Sequence, residues 1–382
     1  MPADAPPRLA MVAGEASGDL LAGLLMGGLK ARWPGLQSQG IGGPRMVAQG
    51  LEAWWPSERL AVRGYVEVLR HYRGIKAIRD ALGDRLLAER PTAFIGIDAP
   101  DFNLGLEARL KASGIRTVHF VCPSIWAWRG GRAKTLSRSA DHVLCLFPFE
   151  PALLREHGVA ATYVGHPLAD AIPLEVPRDA ARQALGLAPA ETVVALLPGS
   201  RRSEIETIAP TLLRAAAELA RRRQGLRFVL PVVPGLRPTV DAALQGVGEV
   251  PGLQLLDGQS HRALAACDLT LIASGTATLE AALFKRPMVI TYRMNPLTWA
   301  LMKRMAYQPW VGLPNILSRE FIVPELIQER CTPQALADEA LRWLDQPARG
   351  DALAERLTAL HLQLRQNTAE RAADAIAEVI DA

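Results

Sequence analysis

A carboxylate follows a buried strand directly in the segment 94–103. The apolar run Phe94–Ile97 predicts a strand, Asp98 comes next, and Pro100 stops the strand from continuing. Open α/β sheets bind ligands at the carboxyl ends of their strands. Asp98 is therefore a candidate general base, and Asn103 adds a second polar group to the same turn. The alternative is that Asp98 only caps the helix that follows.

Another polar turn follows the first predicted strand, Leu9–Ala13. Its glycines permit close approach of a ligand to the backbone, and the start of a helix favours anions. The turn matches neither the dinucleotide fingerprint nor a P-loop. An ordinary capped turn is the alternative to a ligand site. The candidate substrate-binding residues of this turn are Glu15, Ser17, Gly18 and Asp19.

A basic turn follows the first predicted strand of the second half, Thr192–Leu197. Ser200 lies in a turn that offers backbone N–H groups, and the guanidinium of Arg201 suits bidentate contact with a phosphate. The sequence therefore predicts a phosphate contact here. A surface arginine on a capped helix is the alternative.

A third turn of this kind opens a helix after the strand Leu269–Ala273. Ser274, Gly275 and Thr276 could hold a second phosphate at the helix N-terminus. Glu280 lies about one turn further along the same face, where a carboxylate could accept two ribose hydroxyls. The alternative for Glu280 is a first-turn glutamate stabilised by the helix dipole.

Three further features allow two interpretations each. Trp126 and Arg129 indicate an apolar ledge beside basic groups, or else a packed loop. The segment 298–307 mixes bulky apolar and basic residues, which suits a membrane surface or a core helix. Asn315 is either a turn residue or a ligand contact.

The elements that position these residues alternate between strand-like and helix-like segments. Such alternation predicts an α/β protein built from βα units on mostly parallel sheets. The 382 residues, 49% of them apolar, allow two cores. The pattern lapses over a proline-rich stretch at 167–177. We therefore predict a Rossmann-like domain at 1–170, a second at 171–345 and a helical segment at 346–382 that packs back on the first.

The composition excludes several classes of protein. A net charge of +4, without a basic stripe, argues against nucleic acid as a partner. The four cysteines are far apart and have no metal-ligand spacing, so we expect buried reduced thiols. No Asp-x-Asp motif is present to hold Mg²⁺ on a pyrophosphate, so we expect no metal. Without a signal peptide or a run of about 18 apolar residues, a cytoplasmic location is expected.

Taken together, the motifs resemble the lipid-A-disaccharide synthase family. The resemblance covers nearly the whole chain, and the segments that carry it are 12–19, 42–46, 66–69, 96–103, 123–129, 165–167, 197–201, 256–258, 273–277 and 313–316. It implies the B-type glycosyltransferase fold, in which two Rossmann-like domains face a cleft. It also implies a peripheral enzyme on the cytoplasmic face of the inner membrane of a Gram-negative bacterium, with a homodimer among its expected assemblies.

The reaction that the resemblance implies is an inverting glycosyl transfer without a cofactor. UDP-2,3-diacylglucosamine donates its sugar to the 6-hydroxyl of 2,3-diacylglucosamine 1-phosphate and releases UDP. Asp98 would be the base and Arg201 would stabilise the leaving UDP, while Glu280 would hold the ribose and Asn315 the UDP or the donor sugar. Two residues depart from the family pattern, Arg63 in place of an apolar residue and Cys122 in place of Ser; they bear on acyl-chain preference.

Other functions stay open on the residues alone. A UDP-N-acetylglucosamine 2-epimerase would share the fold but need no acyl-binding surface, and the tryptophan-rich loop argues against it. A non-catalytic nucleotide-sugar sensor would keep Arg201 and Glu280 and could dispense with Asp98. An NAD dehydrogenase is disfavoured because the dinucleotide fingerprint is incomplete.

Overall fold

The apolar runs of the sequence form two separate parallel sheets, each in its own unit of the chain. The computed structural model describes residues 6–60, 65–127, 130–305 and 307–382, without the side chains of residues 58, 65–72, 297, 301 and 303. Unit 1 comprises residues 1–170 and 364–382, and unit 2 comprises residues 171–363. The division after residue 170 falls inside the proline-rich stretch.

Unit 1 has a seven-stranded parallel sheet with the strand order β3-β2-β1-β4-β5-β6-β7. Its strands are β1 (Arg8–Ala13), β2 (Gln37–Gly42), β3 (Leu51–Pro56), β4 (Ala93–Ile97), β5 (Arg116–Phe120), β6 (His142–Cys145) and β7 (Ala161–Tyr163). The helices up to its boundary are α1 (Ala16–Arg32), α2 (Pro44–Ala48), α3 (Tyr65–Glu89), α4 (Pro100–Ala112), α5 (Arg132–Ser139), α6 (Glu150–Arg155) and α7 (Pro167–Ala171).

Unit 2 repeats the plan with a six-stranded parallel sheet in the order β10-β9-β8-β11-β12-β13. Its strands are β8 (Thr192–Leu197), β9 (Leu226–Val232), β10 (Leu253–Asp257), β11 (Leu269–Ala273), β12 (Met288–Tyr292) and β13 (Glu325–Ile327). Its helices are α8 (Arg178–Leu185), α9 (Arg202–Arg222), α10 (Arg237–Val247), α11 (Ser260–Ala266), α12 (Thr276–Leu283), α13 (Pro296–Met305), α14 (Leu313–Ser318), α15 (Pro333–Leu344) and α16 (Pro347–Leu364).

The last helix, α17 (Thr368–Asp381), returns to unit 1 and packs against α1. The two helices approach closely at Gly28, where an added methyl group would lie 2.5 Å from the Cβ of Ala369. Arg32 and Asp374 form an ion pair across the same contact. The helical segment predicted at 346–382 is thus divided, because α16 belongs to unit 2 and α17 to unit 1.

The strand order in each sheet reverses beside the first strand, between β1 and β4 in unit 1 and between β8 and β11 in unit 2. In doubly wound folds this switch point is where ligands bind. The α/β prediction with two Rossmann-like domains is confirmed. None of the helices in the described ranges has the length and apolar composition needed to cross a membrane.

Candidate active site

The turn after β4 holds Asp98 in an unusual backbone conformation. Asp98 and Ala99 both have positive φ, 49° and 43°, a left-handed region that residues with side chains seldom occupy. Helix α4 starts at Pro100 with Ala99 at its N-cap position, so Asp98 does not cap it. Within the described residues, no hydrogen bond or ion pair involves the half-buried Asp98 carboxylate. The turn thus presents a carboxylate without a partner among the described residues.

The side chain of Asn103 holds this turn in place through hydrogen bonds to its backbone. Its side chain is fully buried, and its amide nitrogen lies 2.9 Å from the carbonyl oxygen of Asp98 and 3.3 Å from that of Ile97. The same amide also reaches the carbonyl oxygen of Val12 on β1, at 3.3 Å. Asn103 therefore positions the backbone that carries Asp98, and the substrate contact predicted for it stays a prediction.

The β1–α1 turn lies against the Asp98 turn. A methyl group on Gly14 would lie 3.2 Å from the Cβ of Ala99, and one on Gly18 would lie 3.7 Å from the carbonyl oxygen of Ile97. Glu15 and Ser17, on the same turn, are half-buried. The structure thus brings Glu15, Ser17 and Gly18 to the switch point beside Asp98, and their contact with substrate stays a prediction.

Asp19 faces the interior rather than a ligand. Its side chain is 4% exposed, and its carboxylate accepts hydrogen bonds from three backbone N–H groups at the start of α2. The donors and distances are Gly43 at 2.8 Å, Arg45 at 2.9 Å and Met46 at 3.0 Å. A carboxylate at a helix N-terminus satisfies unpaired N–H groups and suits the helix dipole. This geometry assigns Asp19 a positioning role in place of direct substrate contact.

Trp126 lies in an aromatic cluster behind the ends of β5 and β6. Its indole N–H donates to Glu150 at 3.0 Å, and its ring meets those of Phe147 and Phe149 edge to face. These contacts are the ones expected if Trp126 belongs to a packed loop. A contact of Trp126 with substrate stays a prediction. Arg129 lies outside the described residues.

Burial dominates the protonation of two groups in this cluster. Burial raises the pKa of Glu150 to about 8, although the N–H groups of Phe147 and Trp126 act to lower it. Burial lowers the pKa of His166 to about 3, and its Nδ1 accepts a hydrogen bond from the backbone N–H of Leu168 at 3.2 Å. Burial thus favours the uncharged form of both groups.

The β8–α9 turn in unit 2 joins Arg201 to Glu204. The guanidinium of Arg201, whose side chain is 41% exposed, donates to Glu204 at 2.6 Å. The backbone N–H groups of Ser200 and Arg201 donate to the same carboxylate at 3.0 and 3.3 Å. The amides that the sequence offers to a phosphate thus already have an acceptor, and the exposed part of the guanidinium is the group best placed for an anion.

The β11–α12 turn is more open. Gly275 has φ 152°, and a methyl group there would meet no atom within 4 Å. Gly275 and Thr276 are exposed, and among the described residues no acceptor is bonded to their backbone N–H groups. Ser274 is less open, because its hydroxyl donates to the carbonyl oxygen of Val311 at 2.9 Å. This helix start has the features of an anion site.

Glu280 lies on the same helix, as predicted, and carries an interaction that the sequence did not reveal. His261 Nε2 on α11 lies 3.1 Å from one carboxylate oxygen of Glu280, whose side chain is 16% exposed. The other oxygen remains for a hydroxyl group. No motif marked His261, whereas the spacing of Glu204 in the first turn of α9 is a recognisable capping signal.

Asn315 is fully buried and fully engaged. Its amide nitrogen donates to the backbone of Val323 at 2.9 Å and to Glu325 at 2.8 Å, and its oxygen accepts from the N–H groups of Ile322 and Val323. These bonds use the whole hydrogen-bonding capacity of an asparagine. These bonds give Asn315 a positioning role for the segment around Gly312, whose N–H donates to Glu325. A direct ligand contact of Asn315 stays a prediction.

Comparison with known proteins decides the family. A family model described as lipid-A-disaccharide synthetase matches residues 9–380. The chain belongs to this family. A lipid-A-disaccharide synthase of Verminephrobacter eiseniae is 60% identical over 381 residues, 98% of each chain. One of Albidiferax ferrireducens is 57% identical over 378 residues, 98% of this chain and 97% of that one.

Solved structures agree with the fold. The UDP-GlcNAc 2-epimerase from Neisseria meningitidis, solved with UDP-GlcNAc, has a TM-score of 0.69 at 12% identity over 97% of this chain and 100% of its own. The MurG protein of Acinetobacter baumannii has a TM-score of 0.58 at 16% identity, over 98% and 100% of the two chains. These similarities concern the fold alone. The lipid-A-disaccharide synthase family and the glycosyltransferase class of enzyme, both predicted from the sequence, are confirmed.

Proposed function

We propose that this protein transfers the sugar of UDP-2,3-diacylglucosamine to the 6-hydroxyl of 2,3-diacylglucosamine 1-phosphate. The products are a β-1,6-linked disaccharide 1-phosphate and UDP. Membership of the lipid-A-disaccharide synthase family supports the substrate class. The Asp98 turn carries the mechanistic part of the proposal, because it presents a carboxylate without a described partner at the switch point of unit 1.

Asp98 acts as the general base in this proposal. A sugar hydroxyl is a poor nucleophile, so its proton has to leave as the new bond forms, and a positioned base contributes about 10²–10⁴-fold to such a step. The 6-hydroxyl attacks the anomeric carbon, its proton passes to Asp98, and the bond to UDP breaks on the opposite side. One displacement of this kind converts an α-linked donor into a β-linked product.

Unit 2 stabilises the leaving diphosphate. The exposed part of the Arg201 guanidinium and the N–H groups at the start of α12 supply positive charge and hydrogen bonds where negative charge develops. Glu280 accepts the ribose hydroxyls, with His261 holding its other oxygen. These groups carry the charge of the diphosphate, so we propose that the transfer requires no cofactor and no added metal.

The assay that tests the reaction uses purified protein with both acylated substrates in detergent micelles, with EDTA present. Mass spectrometry follows the lipid products, and a coupled assay follows UDP. A tetraacyl disaccharide phosphate that forms together with an equal amount of UDP supports the proposal. Release of UDP without disaccharide indicates hydrolysis or epimerisation. Absence of turnover with several chain lengths favours a sensor.

Acylated substrates require contact with a membrane, and we propose a peripheral association with the cytoplasmic face of the inner membrane. The exposed large apolar side chains described in unit 2 include two aromatic ones, Tyr307 at 65% and Phe321 at 56%. Replacement of both by Ser should weaken sedimentation with anionic vesicles. Val47 on α2 is exposed to 48%, so Val47→Ser provides a matched control. Equal binding by all variants would exclude this surface.

Association between copies is a separate proposal. A homodimer is the assembly that the family resemblance implies, and light scattering after size exclusion measures it directly. A mass near the 41.4 kDa of one chain would contradict it.

A further inference from the structure

Two cysteines and a glutamate meet in the interior of unit 1. The sulfur atoms of Cys122 and Cys145 and a carboxyl oxygen of Glu150 all lie within 4.8 Å of one another, and all three side chains are buried. Cys122 follows β5, Cys145 ends β6 and Glu150 begins α6. The two strands are parallel neighbours, so residues 23 positions apart in the chain come together.

We infer that Cys122, Cys145 and Glu150 form a binding site for a thiophilic divalent cation of the zinc class. Thiolate sulfur selects soft or borderline metal ions, and a set of two sulfurs and one carboxylate suits Zn²⁺. Metal–sulfur bonds of about 2.3 Å would draw the sulfurs of a tetrahedral site to about 3.8 Å from each other. Side-chain rotations are enough to close a set of donors that already lie within 4.8 Å.

The surroundings of Glu150 match those of a metal-bound carboxylate. The indole N–H of Trp126 donates to one oxygen at 3.0 Å, and the backbone N–H of Phe147 donates to the other at 3.0 Å. Each oxygen keeps a further lone pair for an ion. Hydrogen bonds of this kind orient ligands around metals and tune their affinity.

The two thiols lie close together, with their sulfur atoms within 4.8 Å of each other. The sulfur of Cys122 lies 3.4 Å from the carbonyl oxygen of Pro123, and that of Cys145 lies 4.0 Å from the carbonyl oxygen of Val143. Val121, directly before Cys122, has φ 81°, a conformation that a β-branched residue rarely adopts. The backbone therefore turns Cys122 inward at a cost in strain, which is the usual mark of a position with a specific task.

Binding releases protons and involves no oxidation. The ion displaces one proton from each thiol, and together with the Glu150 carboxylate the two thiolates give three negative ligands around two positive charges, a net charge of −1. The fourth coordination position is left to water or a carbonyl oxygen. Because the ligands come from the ends of β5 and β6 and the start of α6, the ion would hold these segments together and fix Trp126 through Glu150.

This site is independent of the proposed glycosyl transfer. The ion would lie among buried side chains in unit 1, whereas the charges proposed to stabilise the diphosphate lie on α9 and α12 in unit 2. A stabilising ion here is therefore compatible with a transfer step that needs no added metal.

Cobalt provides the test, because tetrahedral Co²⁺ bound to thiolate absorbs strongly in the near ultraviolet. The full-length protein is kept reduced, stripped with a chelator during unfolding, refolded and titrated with Co²⁺ alone. We expect saturation near one equivalent, displacement by Zn²⁺ and an increase in Tm on loading. Cys267→Ser and Cys331→Ser replace the other two buried cysteines and should keep the signal.

The ligand variants make the inference falsifiable. Cys122→Ser and Cys145→Ser should abolish the charge-transfer band, and Glu150→Gln should weaken Co²⁺ binding about 10- to 100-fold. Serine is close to cysteine in size, so Cys122→Ser is expected to fold, and circular dichroism checks this. An unchanged band in Cys122→Ser or Cys145→Ser overturns the site. So does the absence of a band in the reduced unmutated protein, or a disulfide between these cysteines in the protein as purified.

Discussion

The functional turns of the two units differ in the type of residue that adopts a positive φ. In unit 1, Asp98 and Ala99 carry side chains in the left-handed region, with φ 49° and 43°. In unit 2, the residue with positive φ at the start of α12 is a glycine, Gly275, with φ 152°. The unit 1 turn is covered, since a methyl group on Gly14 would meet Ala99, whereas the space around Gly275 is open.

The difference indicates what each turn is built to present. A residue with a side chain in the left-handed region costs about 1–2 kcal/mol, so it persists only where the surrounding contacts enforce it. Unit 1 accepts this cost to hold one carboxylate in place, with the Asn103 amide bonded to the carbonyl oxygens of Asp98 and of Val12 on β1. Unit 2 instead has a glycine without a side chain at the start of α12, where backbone N–H groups are exposed. We therefore expect chemistry to depend on unit 1 and nucleotide affinity on unit 2.

The largest expected effect is on Asp98. Asp98→Asn removes the base and keeps the shape, so kcat should fall about 10²–10⁴-fold while the Kd for UDP stays unchanged. Initial rates by mass spectrometry and calorimetry with UDP measure the two quantities. Asp101→Asn, at an exposed neighbouring position, is the control and should stay near the unmutated rate. A kcat for Asp98→Asn within threefold of that rate would remove Asp98 from the mechanism.

Arg201 should show the reverse pattern. Hydrogen bonds to charged groups contribute about 1.5–3 kcal/mol, so Arg201→Ala should weaken UDP binding about 10- to 100-fold. Arg201→Lys should restore only part of the affinity, because an ammonium lacks the bidentate geometry. Calorimetry compares both with Arg202→Ala, which alters an exposed arginine on the same helix. Equal affinity for all three variants would place the diphosphate elsewhere.

Gly275→Ala tests the open turn of unit 2. Nothing crowds an added methyl group, so the cost comes from the backbone alone and should be about 1–3 kcal/mol in unfolding free energy. UDP affinity should fall with it. Gly246→Ala, inside α10 and equally uncrowded, should instead stabilise the protein by about 0.5–1 kcal/mol. Urea unfolding measures both, and a shift of the same sign would contradict this assignment.

The burial of His166 in unit 1 should make the stability of the protein depend on pH. The pKa of His166 is about 3 in the folded protein and near 6.5 when unfolded, so between these values the unfolded chain binds the extra proton. Stability should therefore decrease as pH falls below 6.5, by about 1.4 kcal/mol per pH unit. Asn offers an acceptor in place of Nδ1, so His166→Asn should flatten this slope.

The smallest expected effect is that of Ala99→Gly. Glycine relieves the left-handed strain, by about 1–2 kcal/mol, but loses about 0.4–1 kcal/mol through the more flexible unfolded chain. Stability should therefore rise by about 0–1.6 kcal/mol, while kcat falls because Asp98 is held less firmly. Ala112→Gly, within α4, should only destabilise. An unchanged kcat in Ala99→Gly would mean that the strain does not position Asp98.

The sequence predicted the strands that carry the site because each is a continuous apolar run. Buried parallel strands such as β4 and β11 typically have such continuous apolar sequences. Strand β2 did not, because Gln37–Gly42 begins with polar residues and contains two glycines. Strand β13, with three residues, is too short to leave a pattern.

The candidate site was predictable where a side chain follows a strand along the chain, and not where partners come from elsewhere. Asp98 belongs to the first kind. Asn315 belongs to the second, because its partners are on a later segment that ends at β13. The meeting of Cys122 with Cys145 also depends on the register between two strands, which no spacing along the chain expresses. Local chemistry could be predicted; the assignment of hydrogen-bond partners required the fold.

The return of α17 to unit 1 has a consequence for biosynthesis. A ribosome makes the sheet of unit 1 first, then all of unit 2, and only afterwards the helix that covers α1. Until then, the close contact between Gly28 and Ala369 cannot form, and unit 1 lacks the helix that packs on α1. Unit 2, contiguous in the chain, has no such delay. We expect nascent chains stalled before residue 364 to be protease-resistant in unit 2 and sensitive in unit 1.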